Sequence, residues 1–174
     1  MKDLRAAIRT VPDFPKAGIQ FRDVTTLLLD ADAFGAAVAR LAAVEGEFDQ
    51  VAGIEARGFV FGAAVARERG LGFLPLRKPG KLPGATVGES YKLEYGEDAL
   101  HAPHGLVKPG ARVLLVDDLI ATGGTACAAV RLLRRIGCTV AAAAFVVDLP
   151  DLGGAERLRA MSVSVSCLTA FSGD

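Results

Sequence analysis

Compact, largely apolar stretches alternate with helical stripes along this chain. Val51 to Glu55, Gly72 to Leu76, Arg112 to Val116 and Val140 to Val147 are bounded by turn-forming residues and read as strands buried on both faces. Between them, Asp32 to Glu45 carries Phe34, Val38 and Leu41 at helical spacing, and Val60 to Arg69 reads as a helix closed by Gly70. The segment after Thr125 places Ala126, Val130, Leu133 and Ile136 on one stripe and stops at Gly137. A turn-rich stretch from Asp148 to Gly154 leads to a short helix and a last strand near Ser162 to Thr169. Repeated strand–helix units predict an α/β fold: a parallel twisted sheet with helices on both faces, in one domain spanning 1–174. Ahead of it, Met1 to Thr10 is a charged amphipathic segment with Leu4, Ala7, Ile8 and Val11 on one face.

The pattern breaks between Arg77 and Gly110, where Pro79, Pro83, Pro103 and Pro109 mix with six glycines. Such a long irregular insertion in a compact domain is usually functional. Thr86 to Glu94 can still pair as a strand, while Glu94 to Pro109 is expected to be mobile. His101 and His104 have no Cys or acidic partners nearby that would complete a metal site, and they read as solvated loop residues.

The densest chemistry lies in Val113-Leu114-Leu115-Val116-Asp117-Asp118-Leu119-Ile120-Ala121-Thr122-Gly123-Gly124-Thr125. An apolar strand ends in adjacent acids, and a turn of small and hydroxyl residues then opens a helix. In open α/β sheets ligands bind at that end of the strands. Gly123 and Gly124 let the backbone turn and present successive N–H groups, which a helix N-terminus makes receptive to phosphate. The carboxylates of Asp117 and Asp118 can accept from vicinal sugar hydroxyls or hold hydrated Mg²⁺. A sugar phosphate satisfies both halves, although a plain βα turn with Asp as a cap would use the same residues.

Composition narrows the classes. With 51% hydrophobic residues and a mean hydropathy of +0.35 the chain can bury a full core. Zero net charge and a pI near 6.7 argue against a nucleic-acid surface. Val140 to Val147 is far short of the ~20 residues that span a bilayer. Met1 to Thr10 lacks the apolar core of a signal peptide, and Cys127, Cys138 and Cys167 read as reduced core thiols, so the expected location is the cytoplasm.

The thirteen-residue run resembles the phosphoribosyl-pyrophosphate (PRPP) signature of type I phosphoribosyltransferases, whose sheet is Rossmann-like. Three further segments are similar to the adenine-specific branch of that family. They are Phe14 to Asp23 (FPKAGIQFRD), Ile54 to Phe59 (IEARGF), and Arg77 to Gly84 (RKPGKLPG) followed by Tyr91 to Gly96 (YKLEYG). The resemblance implies a small N-terminal hood over about 1–30 and a flexible lid hairpin over about 77–110. It implies transfer of a phosphoribosyl group from PRPP to adenine, giving AMP and pyrophosphate, with Mg²⁺ held mainly by PRPP and water, in a homodimer. By the same resemblance, Ala121, Thr122, Gly123, Gly124 and Thr125 bind the 5′-phosphate, and Asp117 and Asp118 serve the ribose and Mg²⁺ region. Arg57, Arg77, Lys78 and Lys81 serve pyrophosphate, some of them from a neighbouring subunit. Glu94 is the implied general base, Tyr95 helps to close the lid, main-chain groups around Gln20 and Arg22 read adenine, and Phe21 and Leu119 sandwich its ring. The alternatives are a PRPP-sensing regulator, disfavoured by the neutral charge, and a transferase for a 6-oxopurine.

Overall fold

The computed structural model describes residues 3–93 and 96–173. In chain order the elements are β1 (Arg9–Pro12), β2 (Gln20–Asp23), α1 (Thr25–Leu29), α2 (Ala31–Ala42), β3 (Gln50–Ile54), α3 (Arg57–Arg69) and β4 (Gly72–Leu76). There follow β5 (Thr86–Leu93), β6 (Gly96–Pro103), β7 (Arg112–Ile120), α4 (Gly124–Arg135), β8 (Thr139–Asp148), α5 (Gly154–Ala160) and β9 (Ser164–Ala170).

Five parallel strands form the main sheet in the order β4-β3-β7-β8-β9. From β3 the chain moves outward to β4 on one side, and from β7 it moves outward to β8 and β9 on the other. The order therefore reverses between β3 and β7, the switch point at which the loops leaving two strands diverge and open a crevice. The loop after β3 begins at Glu55 and the loop after β7 at Ala121.

The sheet is covered on both faces. On one side α4 and α5 pack Val130, Leu133 and Leu158 against Val113, Leu115 and Phe145; on the other, α2 and α3 pack Leu41, Phe61 and Val65 against Leu114, Val116 and Val146. Local sequence sets the helix ends. The Asp30 side chain accepts from the N–H groups of Asp32 and Ala33, capping α2, and Gly70 closes α3 in the left-handed conformation at φ +67°.

Two features depart from the sequence expectations. The strand expected to stop at Val116 continues to Ile120, carrying the acid pair inside it. Along β7, Val113 and Leu115 face one core and Leu114 and Val116 the other, but beyond the acids Leu119 joins the second core and Ile120 the first. The inward–outward alternation thus inverts across Asp117 and Asp118, which lets adjacent residues serve one cavity. Secondly, the segment expected to be mobile after Glu94 contains β6, paired antiparallel with β5 from Thr86↔Pro103 to Leu93↔Gly96. Leu100 and Ala102 are buried in the α4-side core, so apolar burial explains why this stretch is a strand despite its turn-rich flanks. His101 is likewise not a solvated loop residue: its main chain bridges to Arg77, and its Nδ1 lies 3.0 Å from Thr86 Oγ1. His104 is exposed, as expected.

Candidate active site

Asp117 and Asp118 stand at the switch point. Asp117 Oδ1 accepts from the Asp118 N–H at 2.9 Å. Although Asp117 keeps some exposed surface, its carboxyl is enclosed; burial first, and then the charge of Asp118, push it well above the usual carboxylate range. Asp118 is 4% exposed, and Arg57 Nε lies 2.9 Å from its Oδ2. The approach is close enough for an ion pair but off the hydrogen-bonding line, so among the described residues this buried oxygen has no donor.

Arg57 opens α3, and the next residue explains how the helix comes so near the acids. A Cβ on Gly58 would stand 2.6 Å from Asp117 Oδ1 and 3.1 Å from the Val116 carbonyl, distances only glycine avoids. A cavity of about 250 Å³ is shared by Glu55, Arg57, Lys78, Asp117, Asp118 and Thr125, with Leu119 and Ala121 also on its wall. A larger cavity, about 520 Å³, lies between the hairpin base and the end of α4. Its wall includes Val87, Val107 and Ile136 and none of these charged groups.

The turn from Ala121 to Gly124 leads into α4. Gly123 precedes the helix at φ +81° and no side chain caps it, so the first-turn N–H groups are left for an anion. Thr122 is exposed, Thr125 half-buried.

The cations divide into two groups. Arg57 faces the acid pair, whereas Arg77 is held bidentately by Glu55, with Nε and NH2 each at 3.2 Å, and donates through NH1 to the Lys81 carbonyl at 2.8 Å. The Arg77 fork, with the Lys78 N–H at 2.8 Å, holds the Glu55 carboxyl below its ordinary range. The Lys78 ammonium donates to Tyr91 Oη at 2.9 Å and to Asp98, tying the hairpin to the site. Lys81 is exposed. Of the four cations expected at pyrophosphate, Arg57 and Lys78 therefore line the acid cavity, while Arg77 and Lys81 form its flank.

The hood is a two-stranded ribbon. β1 and β2 pair Thr10↔Arg22, Val11↔Phe21 and Pro12↔Gln20, and among the described residues the outer edge of β2 has no strand partner. That edge leaves main-chain groups available to a ligand. A third cavity, about 350 Å³, is lined by Val11, Phe14, Phe21, Asp23 and Arg57. The Phe21 ring lies edge-on to Phe14 at 5.1 Å, and the Arg57 guanidinium sits 5.5 Å from its centroid. The Arg22 side chain turns away, to Thr10 Oγ1 at 2.6 Å and the Gly173 carbonyl at 3.0 Å, so only its main chain can serve the cavity. Gln20 is half-buried in the same strand. Leu119 lines the acid cavity rather than the Phe21 cavity, with Arg57 common to both. Glu94 and Tyr95 lie outside the described residues.

Sequence reasoning missed three supports. Tyr91 and Asp98 engage Lys78; Asp23 anchors the hood by accepting from Arg9 Nε at 2.7 Å and the Thr25 N–H at 2.9 Å; and Gly154 donates its N–H to Ala121 at 3.0 Å. The Gly153-Gly154 doublet was the one local signal, and by itself it indicates only a turn.

Known proteins match this architecture throughout. The phosphoribosyl transferase domain profile matches residues 25–169. The adenine phosphoribosyltransferase of Bradyrhizobium sp. (strain BTAi1 / ATCC BAA-1182) is 58% identical, with 98% of this chain and 97% of the relative aligned. The solved adenine phosphoribosyltransferase of Thermoanaerobacter pseudethanolicus superposes with a TM-score of 0.92 at 45% identity, covering 97% of this chain and 98% of that one. The Saccharomyces cerevisiae enzyme, solved with adenine and an imino-altritol bisphosphate, gives 0.88 at 35% identity, covering 95% and 96%. Full-length identity at this level, on a parallel sheet whose switch point carries the acid pair and phosphate-type loop, makes this chain a member of the adenine phosphoribosyltransferase family.

Proposed function

We propose that this chain transfers the 5-phosphoribosyl group of PRPP to adenine, releasing AMP and pyrophosphate, in a Mg²⁺-dependent reaction. The observation that carries the reading is one cavity that joins the Asp117–Asp118 pair, the Arg57 guanidinium and the uncapped start of α4.

Each end of PRPP has a chemical counterpart there. The 5′-phosphate sits on the N–H groups from Ala121 to Thr125, assisted by the hydroxyls of Thr122 and Thr125. The acid pair accepts from the ribose hydroxyls, and Arg57 with Lys78 faces the pyrophosphate. Lys78 exchanges its present partners Tyr91 and Asp98 for the ligand, while Arg77 and Lys81 extend the positive flank.

The carboxylate set fits a hard divalent cation. Among the described residues the buried Asp118 Oδ2 has no hydrogen-bond donor, with only the Arg57 guanidinium as an ionic neighbour, and oxygen donors are what Mg²⁺ takes. PRPP and water would hold the ion mainly, beside Asp117 and Asp118; when bound, it supplies positive charge that neutralises the leaving group.

The base enters beside Phe21, where free main-chain groups of β2 read its edge. Adenine presents a donor amine beside an acceptor nitrogen, and a 6-oxopurine presents the reverse. Mismatched buried groups of this kind discriminate by ~10⁴. Glu94 takes the imidazole proton as the glycosidic bond forms, and returns it in the reverse direction. Leu119, on the wall of the adjoining acid cavity, reaches the far side of the ring only where the base spans both cavities, and Tyr95 closes the lid. The reading includes a homodimer, which sedimentation equilibrium tests directly.

The test is pyrophosphate release from PRPP and Mg²⁺ with adenine, hypoxanthine, guanine, uracil or orotate supplied separately. Release with adenine alone, yielding AMP, is the expected result. Faster turnover of hypoxanthine would overturn the base assignment, and PRPP binding without release from any base would leave a sensor.

A further inference from the structure

We propose that Gly154, remote in sequence from every substrate group, is a positioning residue for the 5′-phosphate loop. The inference rests on the phosphate site proposed above and extends it to a second loop.

The two loops meet main chain to main chain. The Gly154 N–H donates to the Ala121 carbonyl at 3.0 Å, and the neighbouring Leu149 N–H donates to Ile120 at 3.0 Å. A Cβ on Gly154 would stand 2.2 Å from the Ala121 carbonyl oxygen, 2.7 Å from the Gly123 nitrogen and 2.9 Å from Ile120 Cγ1. The contact is reciprocal: a Cβ on Gly123 would stand 2.8 Å from the Gly154 Cα. Two glycines from distant parts of the chain therefore press against each other with no room for a methyl group on either.

This contact does chemical work for an anion. A phosphate bound to successive N–H groups is repelled by any carbonyl oxygen that turns towards it. Gly154 ties down the Ala121 carbonyl and backs the left-handed Gly123, so the loop is set before the ligand arrives. Pre-set donors spend less binding energy on ordering the loop.

The adjacent glycine supplies a control. Gly153 has φ +71° but a Cβ there meets nothing, whereas Gly154 lacks only space. Gly153→Ala therefore strains α5's start without touching the loop, and Gly154→Ala drives a methyl group into it.

The experiment is titration calorimetry of AMP and of adenosine against wild type, Gly154→Ala and Gly153→Ala, with thermal melts of all three. Gly154→Ala is expected to weaken AMP about 10- to 100-fold while adenosine changes less than about twofold. Gly153→Ala is expected to melt lower yet keep the wild-type preference for AMP. In wild type, hydrogen exchange at the Gly154 amide should slow with AMP and not with adenosine, a readout that stands even where the variant does not fold. Equal AMP preference in both variants, or exchange at Gly154 indifferent to AMP, overturns the role of Gly154. Wild type that binds AMP no better than adenosine removes the phosphate site itself, and the proposal with it.

Discussion

Replacing Asp23 by Asn separates charge from shape at the root of the hood. Asp23 is 7% exposed, accepts from the Thr25 N–H, and pairs with Arg9 across the end of the β1–β2 ribbon. Thr25 first, then Arg9, lower its carboxyl from an ordinary 3.8 to about 2. Because the folded value is depressed, its contribution is present above the ordinary carboxylate range and is lost as pH falls through about 2. At ~1.36 kcal/mol per unit the full conversion is about 2.4 kcal/mol; the carboxyl lies just beneath the surface and Arg9 is largely exposed, so screening leaves about 1 kcal/mol. For a chain of this size that lowers Tm by about 2–4 °C. Asn keeps an oxygen for Thr25 but removes the charge. Urea or thermal unfolding should therefore show the full deficit at pH 7, about half of it near pH 3, and about a sixth near pH 2. Since Asp23 lines the Phe21 cavity, KM for adenine should rise while KM for PRPP stays. A deficit unchanged between pH 7 and pH 3, or no deficit at pH 7, would refute the electrostatic origin.

Other perturbations probe the remaining parts. Gly58→Ala must part Arg57's helix from Asp117 to relieve a 2.6 Å approach, costing about 1–3 kcal/mol and raising KM for PRPP; unaltered melting and kinetics would mean the approach is not that close in solution. Asp148 is pushed up by burial, with one carboxyl oxygen lacking a partner, so its ionisation opposes folding as pH rises. Asp148→Asn should thus raise Tm at pH 7.5 and converge on wild type in acid, and a lower Tm at pH 7.5 would count against this. Asp117→Asn with Asp118→Asn should abolish PRPP binding in calorimetry, and retained affinity would assign the pair another task. Glu94→Gln should cut turnover by ~10²–10⁴ with PRPP still bound; unchanged turnover would remove Glu94 from the reaction.

The parallel sheet was legible because strands buried on both faces are written as apolar runs, and Val113 to Val116 could hardly be anything else. The acid pair and its loop were legible because they are contiguous in sequence. What stayed hidden depends on non-local contacts. Nothing near Leu100 announces that its side of β6 is buried against α4, and nothing near Lys78 shows that Asp98 will reach it. Gly58 and Gly154 look like ordinary glycines until β7 and the loop that follows it crowd them. The hood ribbon is not legible as a strand pair, because β1 and β2 are only four residues each and carry little periodicity.

Arg57 belongs to both cavities, paired with Asp118 on one side and stacked near Phe21 on the other. For inhibitor chemistry it is a shared partition. A compound that joins a base mimic to an acidic tail must pass this guanidinium, and the atoms of its linker will be judged there. An anionic or hydrogen-bond-accepting linker meets the guanidinium N–H groups that face away from Asp118 and gains from the passage, whereas an ammonium linker meets a like charge. Two fragments that bind well singly will therefore not simply add their affinities when tethered; the polarity of the bridge decides whether the sum is exceeded or lost.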